Sequence, residues 1–356
     1  MLSSKNYIEA VNDYLTDFIE NKIAIAKQIS NEAAELCQHI SEVAKGGKRT
    51  RAQLNYLGYL AANGNDEALS IKVGAAIELF QTSALIHDDI IDNSDTRRGI
   101  ETIHNSYSNN HKKQDYYGNS KDYGMAAAII AGDICMQWSE EIFSLAIADI
   151  ENALAARKKF ETMRLEVMAG QFMDIHEEVD FISDHELSPH ERAFKVLTYK
   201  SAKYSVEHPL TIGAILGKAT AKLLANLSSF GLPIGQAFQL RDDILGVFGD
   251  SNVTGKPTGD DLREGKRTTL IAYTIENIDT TTAVYLNNNL GNPELTEEEV
   301  TKLQKLIKSS GALTKTEALI HSLTNTALKE LQTLKINAEV KAELEKLAHT
   351  LTQRNA

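Results

Sequence analysis

No proline occurs in the first 188 residues of this 356-residue chain; the five present are Pro189, Pro209, Pro233, Pro257 and Pro293. Proline breaks helix interiors because it lacks the backbone N–H and its ring clashes with the preceding turn. A proline-free half therefore leaves room for long helices. Aromatic residues make up only 6% of the chain, while Ala, Leu, Glu and Lys are plentiful, which favours helix over strand. Within residues 7–30, Ile8, Val11, Leu15, Phe18, Ile19, Ile23 and Ala26 fall near one helical stripe, the pattern of an amphipathic helix. Val300, Leu303, Leu306 and Ile307 repeat it behind Thr296 and Glu299, the spacing of a capping box, with Lys308 and Gly311 closing the segment. Leu319, Leu323, Leu328, Leu331 and Leu334 continue helically, and no stretch alternates convincingly as a strand. The expected class is all-α, with helices paired around one large core.

Two polar stretches, residues 105–122 and 250–266, read as loops rather than as linkers between independent units. A single domain over residues 1–356 is expected, with helices in 280–356.

Lys and Arg number 37 against 49 Asp and Glu, a net charge of −12. That balance opposes wholesale nucleic-acid binding, which needs excess cations to displace counterions. No stretch is expected to reach the ~20 apolar residues of a membrane span; the best candidate, Met125–Asp133, ends on an acid. Glu9, Asp13 and Asp17 near the start are unlike a signal or transit peptide, so a cytoplasmic protein is expected. Cys37 and Cys135 sit in apolar helical contexts and read as reduced core thiols.

The chemistry is concentrated in short motifs. Asp88-Asp89-Ile90-Ile91-Asp92 ends the apolar run Ile77–His87 and leads to Arg97-Arg98-Gly99. On a helix Asp88 and Asp92 share a face, and like charges at that spacing repel. A hard cation such as Mg²⁺, held by carboxylates together with substrate phosphates and water, would relieve the repulsion; taken alone, the motif is equally a solvated acidic helix end. Some 150 residues on, Gln239-Leu240-Arg241-Asp242-Asp243-Ile244-Leu245-Gly246 ends another apolar stretch, followed by Lys256, Arg263, Lys266 and Arg267. Acid followed by base suits a metal-bridged phosphate with direct Lys and Arg contacts, although most such loops are simply salt-bridged. Gly46-Gly47-Lys48-Arg49-Thr50-Arg51 provides a tight basic turn before a helix N-terminus but lacks P-loop spacing. Tyr199-Lys200-Ser201-Ala202 and Gly170-Gln171-Phe172-Met173-Asp174 are weaker signals.

In this order, over about residues 40–270, the motifs closely resemble those of trans-type (E-) polyprenyl diphosphate synthases. The resemblance implies a helical bundle around a deep central cavity, with the two acidic motifs facing across its mouth. It implies condensation of isopentenyl diphosphate with an allylic diphosphate, lengthening the chain by five carbons and releasing pyrophosphate. By position, Asp88, Asp92 and Asp174 hold Mg²⁺ on one side and Asp242 on the other, with Asp89 and Asp243 in support, for three ions per site. Arg97, Lys200 and Lys256 bind the allylic diphosphate, with Ser201, Gln239 and Lys266 nearby. Lys48, Arg51, Gln81 and Arg98 bind isopentenyl diphosphate, and the family usually forms homodimers. Gly246 departs from the pattern, since many relatives carry a third Asp there; a metal contact is expected to weaken.

The resemblance also places Ser83 and Ala84, five and four positions before Asp88, beneath the reacting end of the growing chain. Both are small, which implies a product of twenty carbons or more. Phe80 is a candidate floor, with Ile77 and Val73 deeper on the helix. Two other readings are a non-catalytic regulatory subunit of a heteromeric synthase and a terpene cyclase. The retained acidic motifs count against the first. The basic residues Lys48, Arg51 and Arg98 count against the second.

Overall fold

The computed structural model describes residues 2–180, 186–249 and 258–353. Its helices, in chain order, are α1 (Ser4–Ile29), α2 (Asn31–Ala44), α3 (Thr50–Ala61), α4 (Glu67–Ile91), α5 (Ile103–Lys113), α6 (Ser120–Ile147), α7 (Ala153–Val179) and α8 (Pro189–Leu197). A π-helix, Thr198–Glu207, then runs into α9 (His208–Leu216) and α10 (Ala221–Phe248). The remainder comprises α11 (Asp260–Glu264), α12 (Thr269–Glu276), α13 (Thr280–Asn289), α14 (Glu297–Ser309), α15 (Ala312–Thr333) and α16 (Ala338–Thr352). The all-α expectation holds. Four helices of the proline-free half, α1, α4, α6 and α7, run 26, 25, 28 and 27 residues.

Proline acts as expected at Pro189, which opens α8 behind a Ser188–Glu191 capping box. Pro233 differs, because it lies inside the 28-residue helix α10, which continues through it. One backbone hydrogen bond is lost there, but buried Phe230 and Ile234 on either side bind the helix into the core. Tertiary packing outweighs the local break.

Helix α4 is the central strut, packing on α6, α3 and α1. Asp66 caps its start by accepting from the Leu69 N–H at 3.0 Å. Between α6 and α7, fully buried Phe143 and Phe160 stack with centroids 4.0 Å apart. Burying a side chain of that size is worth about 1.5–3 kcal/mol. The α1 stripe is buried at Tyr7, Val11, Leu15, Ile19 and Ala26. Cys37 and Cys135 are buried free thiols, as expected.

Two expectations are corrected. Residues 105–122 are largely helical: α5 covers Ile103–Lys113 and α6 begins at Ser120, leaving only a short connection. Its composition is polar, but Ile103, Tyr107 and His111 recur at four-residue spacing and are buried. Packing of α5 against α6 decides the matter. In the 250–266 stretch, residues 250–257 lie outside the described residues, and Asp260–Glu264 forms a helical turn anchored by buried Leu262.

The strands present among the described residues are the pair β1 (Thr96–Arg97) and β2 (Ile100–Glu101). They pair antiparallel around Arg98 and Gly99, whose φ values are +53° and +75°. Two consecutive positive-φ residues give the tight hairpin that matches strand twist.

Candidate active site

The first acidic motif forms the C-terminal end of α4. Asp92 caps the helix, its N–H donating to the Asp88 carbonyl at 2.8 Å. A helix C-terminus carries partial negative charge, so carboxylates there are doubly disfavoured without a cation. Burial raises the Asp92 carboxyl to about 6, with Lys266 opposing and Asp88 and Glu264 adding to the shift. Asp89 points elsewhere. It is buried, and its Oδ1 accepts from Arg97 at 2.6 and 2.7 Å. Burial still raises its pKa despite that guanidinium.

The second motif lies on α10. Gln239 Nε2 donates to Asp243 Oδ1 at 2.8 Å. Burial, countered by Gln239 and reinforced by Asp261 and Asp242, holds the Asp243 carboxyl well above its ordinary value. At position 246 a Cβ would lie 1.9 Å from Asp261 Oδ2. A carboxylate from α11 fills the space that a side chain on α10 would occupy, and a larger residue at 246 would have to displace it. Lys266, just past α11, has Nζ 3.3 Å from Asp92 Oδ2 and 3.8 Å from Asp261 Oδ1, and pairs with Glu264. It ties the first motif to the segment following the second.

A basic rim comes from the Gly46–Arg51 turn and the hairpin. Gly46 and Gly47 have φ of +78° and +86°. The Arg98 guanidinium packs over Gly47, where a Cβ would stand 3.1 Å from its NH2. Burial, Arg97 and Arg49 hold the Arg98 pKa down, as expected in a crowded cation patch. Arg51 NH2 donates to Ser205 Oγ at 2.7 Å, and its guanidinium lies 4.4 Å from the Tyr204 ring centroid. Arg49 is structural: it donates to Asn12 Oδ1 at 2.8 Å and to the Ala44 carbonyl at 2.6 Å, beside Glu78.

The π-helix carries Lys200, which pairs with Asp174 of α7. Burial alone would lower the Lys200 pKa; Asp174 and Asp88 outweigh it and raise it. Gln171, one turn before Asp174, donates to Asp88 Oδ1 at 3.0 Å. Glu178, one turn after, is raised to about 7 by burial and by Asp174 and Asp92.

These groups converge on one cavity of about 1190 Å³. Lys48, Arg51, Gln81, Arg98, Asp88, Asp174, Lys200, Ser201, Gln239, Asp242, Asp243 and Lys266 all line it, as do Phe80, Ser83 and Ala84. Its apolar part includes Met136 of α6, Val167 of α7, and Phe80, which meets Tyr204 edge-on at 5.7 Å. Val73 and Ile77 are ordinary core. Gln81 Oε1 and Arg51 Nε are buried with no protein partner, a condition native structures rarely leave without a ligand or water.

Among the expected site residues, Asp89, Asp92 and Arg97 stand behind the lining, and Lys256 lies outside the described residues. Sequence reasoning missed Asp261, Glu264, Gln171, Glu178, Tyr204 and Ser205 as site residues. For Glu178 and Gln171 the signal was helical spacing from Asp174. For Asp261 it was proximity to Lys266 in sequence.

The donor chemistry suits a hard cation. Among the described residues no three acidic, His or Cys side chains gather closely enough to enclose an ion unaided. Mg²⁺ does not need that, since it is commonly held by one or two carboxylates with substrate phosphates and water. Burial raises the Asp92 and Asp243 carboxyls, and neighbouring carboxylates add to both shifts, so a cation bound at the mouth would relieve repulsion among them.

Comparison with known proteins agrees with this geometry. The polyprenyl synthetase family model matches residues 32–307. A geranylfarnesyl diphosphate synthase of Aeropyrum pernix is 32% identical over 276 residues, 75% of this chain and 77% of that protein. A short chain isoprenyl diphosphate synthase of Methanocaldococcus jannaschii is 28% identical over 310 residues, 87% and 84%. The crystal structure of geranylgeranyl pyrophosphate synthase from Corynebacterium glutamicum, complexed with isoprenyl diphosphate and magnesium, superposes with a TM-score of 0.93 at 34% identity, covering 99% of this chain and all of that one.

Proposed function

This chain belongs to the polyprenyl synthetase family, and we propose that it joins isopentenyl diphosphate to an allylic diphosphate, making a trans-polyprenyl diphosphate of twenty carbons or more. The observation that carries the reading is the convergence of Asp88 and Asp242, from α4 and α10, on one cavity with an apolar interior. Relatives that make geranylgeranyl and geranylfarnesyl diphosphates support the product class.

Asp88, Asp92 and Asp174 would hold Mg²⁺ on one side and Asp242 on the other, backed by Asp89 and Asp243, for three ions per site. Asp261 supplies the acid that position 246 lacks. Bound metal adds positive charge where the diphosphate leaves. Lys200 and Lys266 add fixed cations there, and Lys256 and Arg97, through donors not taken by Asp89, join them on the allylic diphosphate. Preorganised charge of this kind stabilises a leaving group as its charge develops. Ser201 and Gln239 orient the same substrate. Lys48, Arg51, Gln81 and Arg98 hold isopentenyl diphosphate with its double bond over the reacting carbon, so that attack becomes local and oriented. The apolar walls keep water from the allylic cation. The released pyrophosphate takes the proton that completes the step.

Small Ser83 and Ala84 let the product grow past fifteen carbons, and Phe80 against Tyr204 forms the floor. The active form is a homodimer, a reading supported by exposed apolar side chains on adjacent long helices, among them Ile130 and Leu145 on α6 and Leu165 and Phe172 on α7. The enzyme works in the cytoplasm; among the described residues one helix, Glu67–Ile91, is long and apolar enough to span a membrane, where the sequence reading found none, and it is mostly buried in the core.

The test is to incubate the purified chain with Mg²⁺, several allylic diphosphates and labelled isopentenyl diphosphate, and to chromatograph the products. Elongation by this chain alone separates it from a regulatory subunit. Dependence on isopentenyl diphosphate separates it from a cyclase. No labelled product would overturn the reading.

A further inference from the structure

The last turn of α16 forms part of the cavity wall, and one side chain next to the second acidic motif fastens it there. Leu351, in the last turn of α16, is 2% exposed and lines the cavity. Phe238 of α10 lines the same cavity and packs in the apolar cluster that contains Leu351. Phe238 directly precedes Gln239 and lies one turn before Asp242, so this wall adjoins the polar mouth. Arg241, which does not itself line the cavity, turns outward from the motif toward the C-terminal helices. Its NH1 and NH2 donate to Glu317 Oε1 and Oε2 of α15, each at 2.6 Å. Its Nε donates to the carbonyl of Thr352, the last residue of α16, at 3.1 Å.

The chemistry of that arrangement is specific. A helix leaves its last carbonyls without intrahelical partners, and a cation there also meets the negative end of the dipole. Arg241 meets that need while its planar fork engages a carboxylate with both terminal nitrogens, which a lysine cannot do at once with a carbonyl bond. Thr352 follows Leu351 directly, so fixing its carbonyl fixes Leu351 against Phe238.

We propose that Arg241 is a positioning residue that fastens the last turn of α16 as a wall of the cavity, and that this wall excludes water from the allylic cation. The inference rests on the proposed condensation. When the carbon–oxygen bond to the allylic diphosphate breaks, its electron pair leaves with pyrophosphate. In the productive step the double-bond pair of isopentenyl diphosphate forms the new carbon–carbon bond, and a proton leaves to pyrophosphate. If water enters, its oxygen bonds to the same carbon, the proton again goes to pyrophosphate, and the product is a prenyl alcohol.

The experiment measures, with the full chain, Mg²⁺, labelled allylic diphosphate and isopentenyl diphosphate, the share of label released as alcohol against that in elongated diphosphate. Arg241→Met is expected to raise the alcohol share at least threefold, and Arg241→Lys by less. Leu351→Ala, which leaves the Arg241 bonds in place, is expected to raise it as well and keeps the proposal testable if Arg241→Met fails to fold. A purely structural role would lower the melting temperature or the overall rate and leave the partition unmoved. Normal elongation by the unsubstituted chain, with an unchanged alcohol share in whichever variants fold, overturns the wall. No elongation by the unsubstituted chain overturns the activity, and the wall with it.

Discussion

Lys266 Nζ lies 3.3 Å from Asp92 Oδ2, joining the end of α4 to a segment 174 residues further along the chain. Asp261 and Glu264 crowd the same ammonium, and these carboxylates raise its pKa well above the ordinary lysine value even though burial works against it. In the free protein Lys266 thus holds the place of positive charge between the two acidic regions. Lys266→Met is expected to lower kcat/KM by roughly 10²-fold, the scale of losing one preorganised electrostatic contact. Steady-state kinetics with near-normal kcat/KM would remove Lys266 from the diphosphate site.

Asp88→Ala and Asp242→Ala are each expected to cut turnover by roughly 10²–10³-fold, because each removes charge that metal and leaving diphosphate require. Chelating Mg²⁺ with EDTA should abolish turnover while circular dichroism stays nearly unchanged. The long helices are held by apolar packing, as at Phe143 and Phe160, and not by metal. Loss of helicity on chelation would mean the metal is structural.

Metal-free stability should depend on pH in a defined direction. The carboxyls of Asp92 and Glu178 are raised to about 6 and about 7, above the ordinary value of ~4. The folded protein therefore holds these protons more tightly than the unfolded chain. Their contribution to stability is fully present below ~4 and is lost as pH rises toward 7. Glu178→Gln should flatten the upper part of that decline in thermal midpoints measured without metal between pH 4.5 and 7.5. An unchanged slope in the variant would show that Glu178 ionises normally.

Chain length should respond to the α4 wall. Ala84→Phe or Ser83→Phe is expected to stop growth near fifteen carbons, and Phe80→Ala to lengthen the product by opening the floor against Tyr204. Chromatography of dephosphorylated products is the measurement. An unchanged distribution in Ala84→Phe would show that this residue does not face the growing chain.

Gly246→Ala places a methyl into the Asp261 carboxylate. Overpacking of this kind costs about 1–3 kcal/mol, and here it also displaces an acid at the mouth. Both the thermal midpoint and the affinity for Mg²⁺ with pyrophosphate, measured calorimetrically, should fall. The double variant Gly246→Asp with Asp261→Gly should recover part of that affinity. No recovery would argue that Asp261 does more than stand in for an acid at position 246.

The amino-acid sequence by itself determined the helical class and the identity of most groups at the mouth. Absence of proline before residue 189, stripes such as Val11, Leu15 and Ile19, and caps such as Thr296 with Glu299 are local, and helix formation is governed by interactions within a turn or two. Tertiary structure decided the rest. Helix α5 is polar in composition and exists because Tyr107 and His111 are buried against α6. Nothing local says that Asp261 fills the space beside Gly246, that Arg97 pairs with Asp89, or that Lys266 reaches Asp92. Those relationships join residues from separate helices, and only the packing of one helix against another sets which distant side chains share a desolvated space.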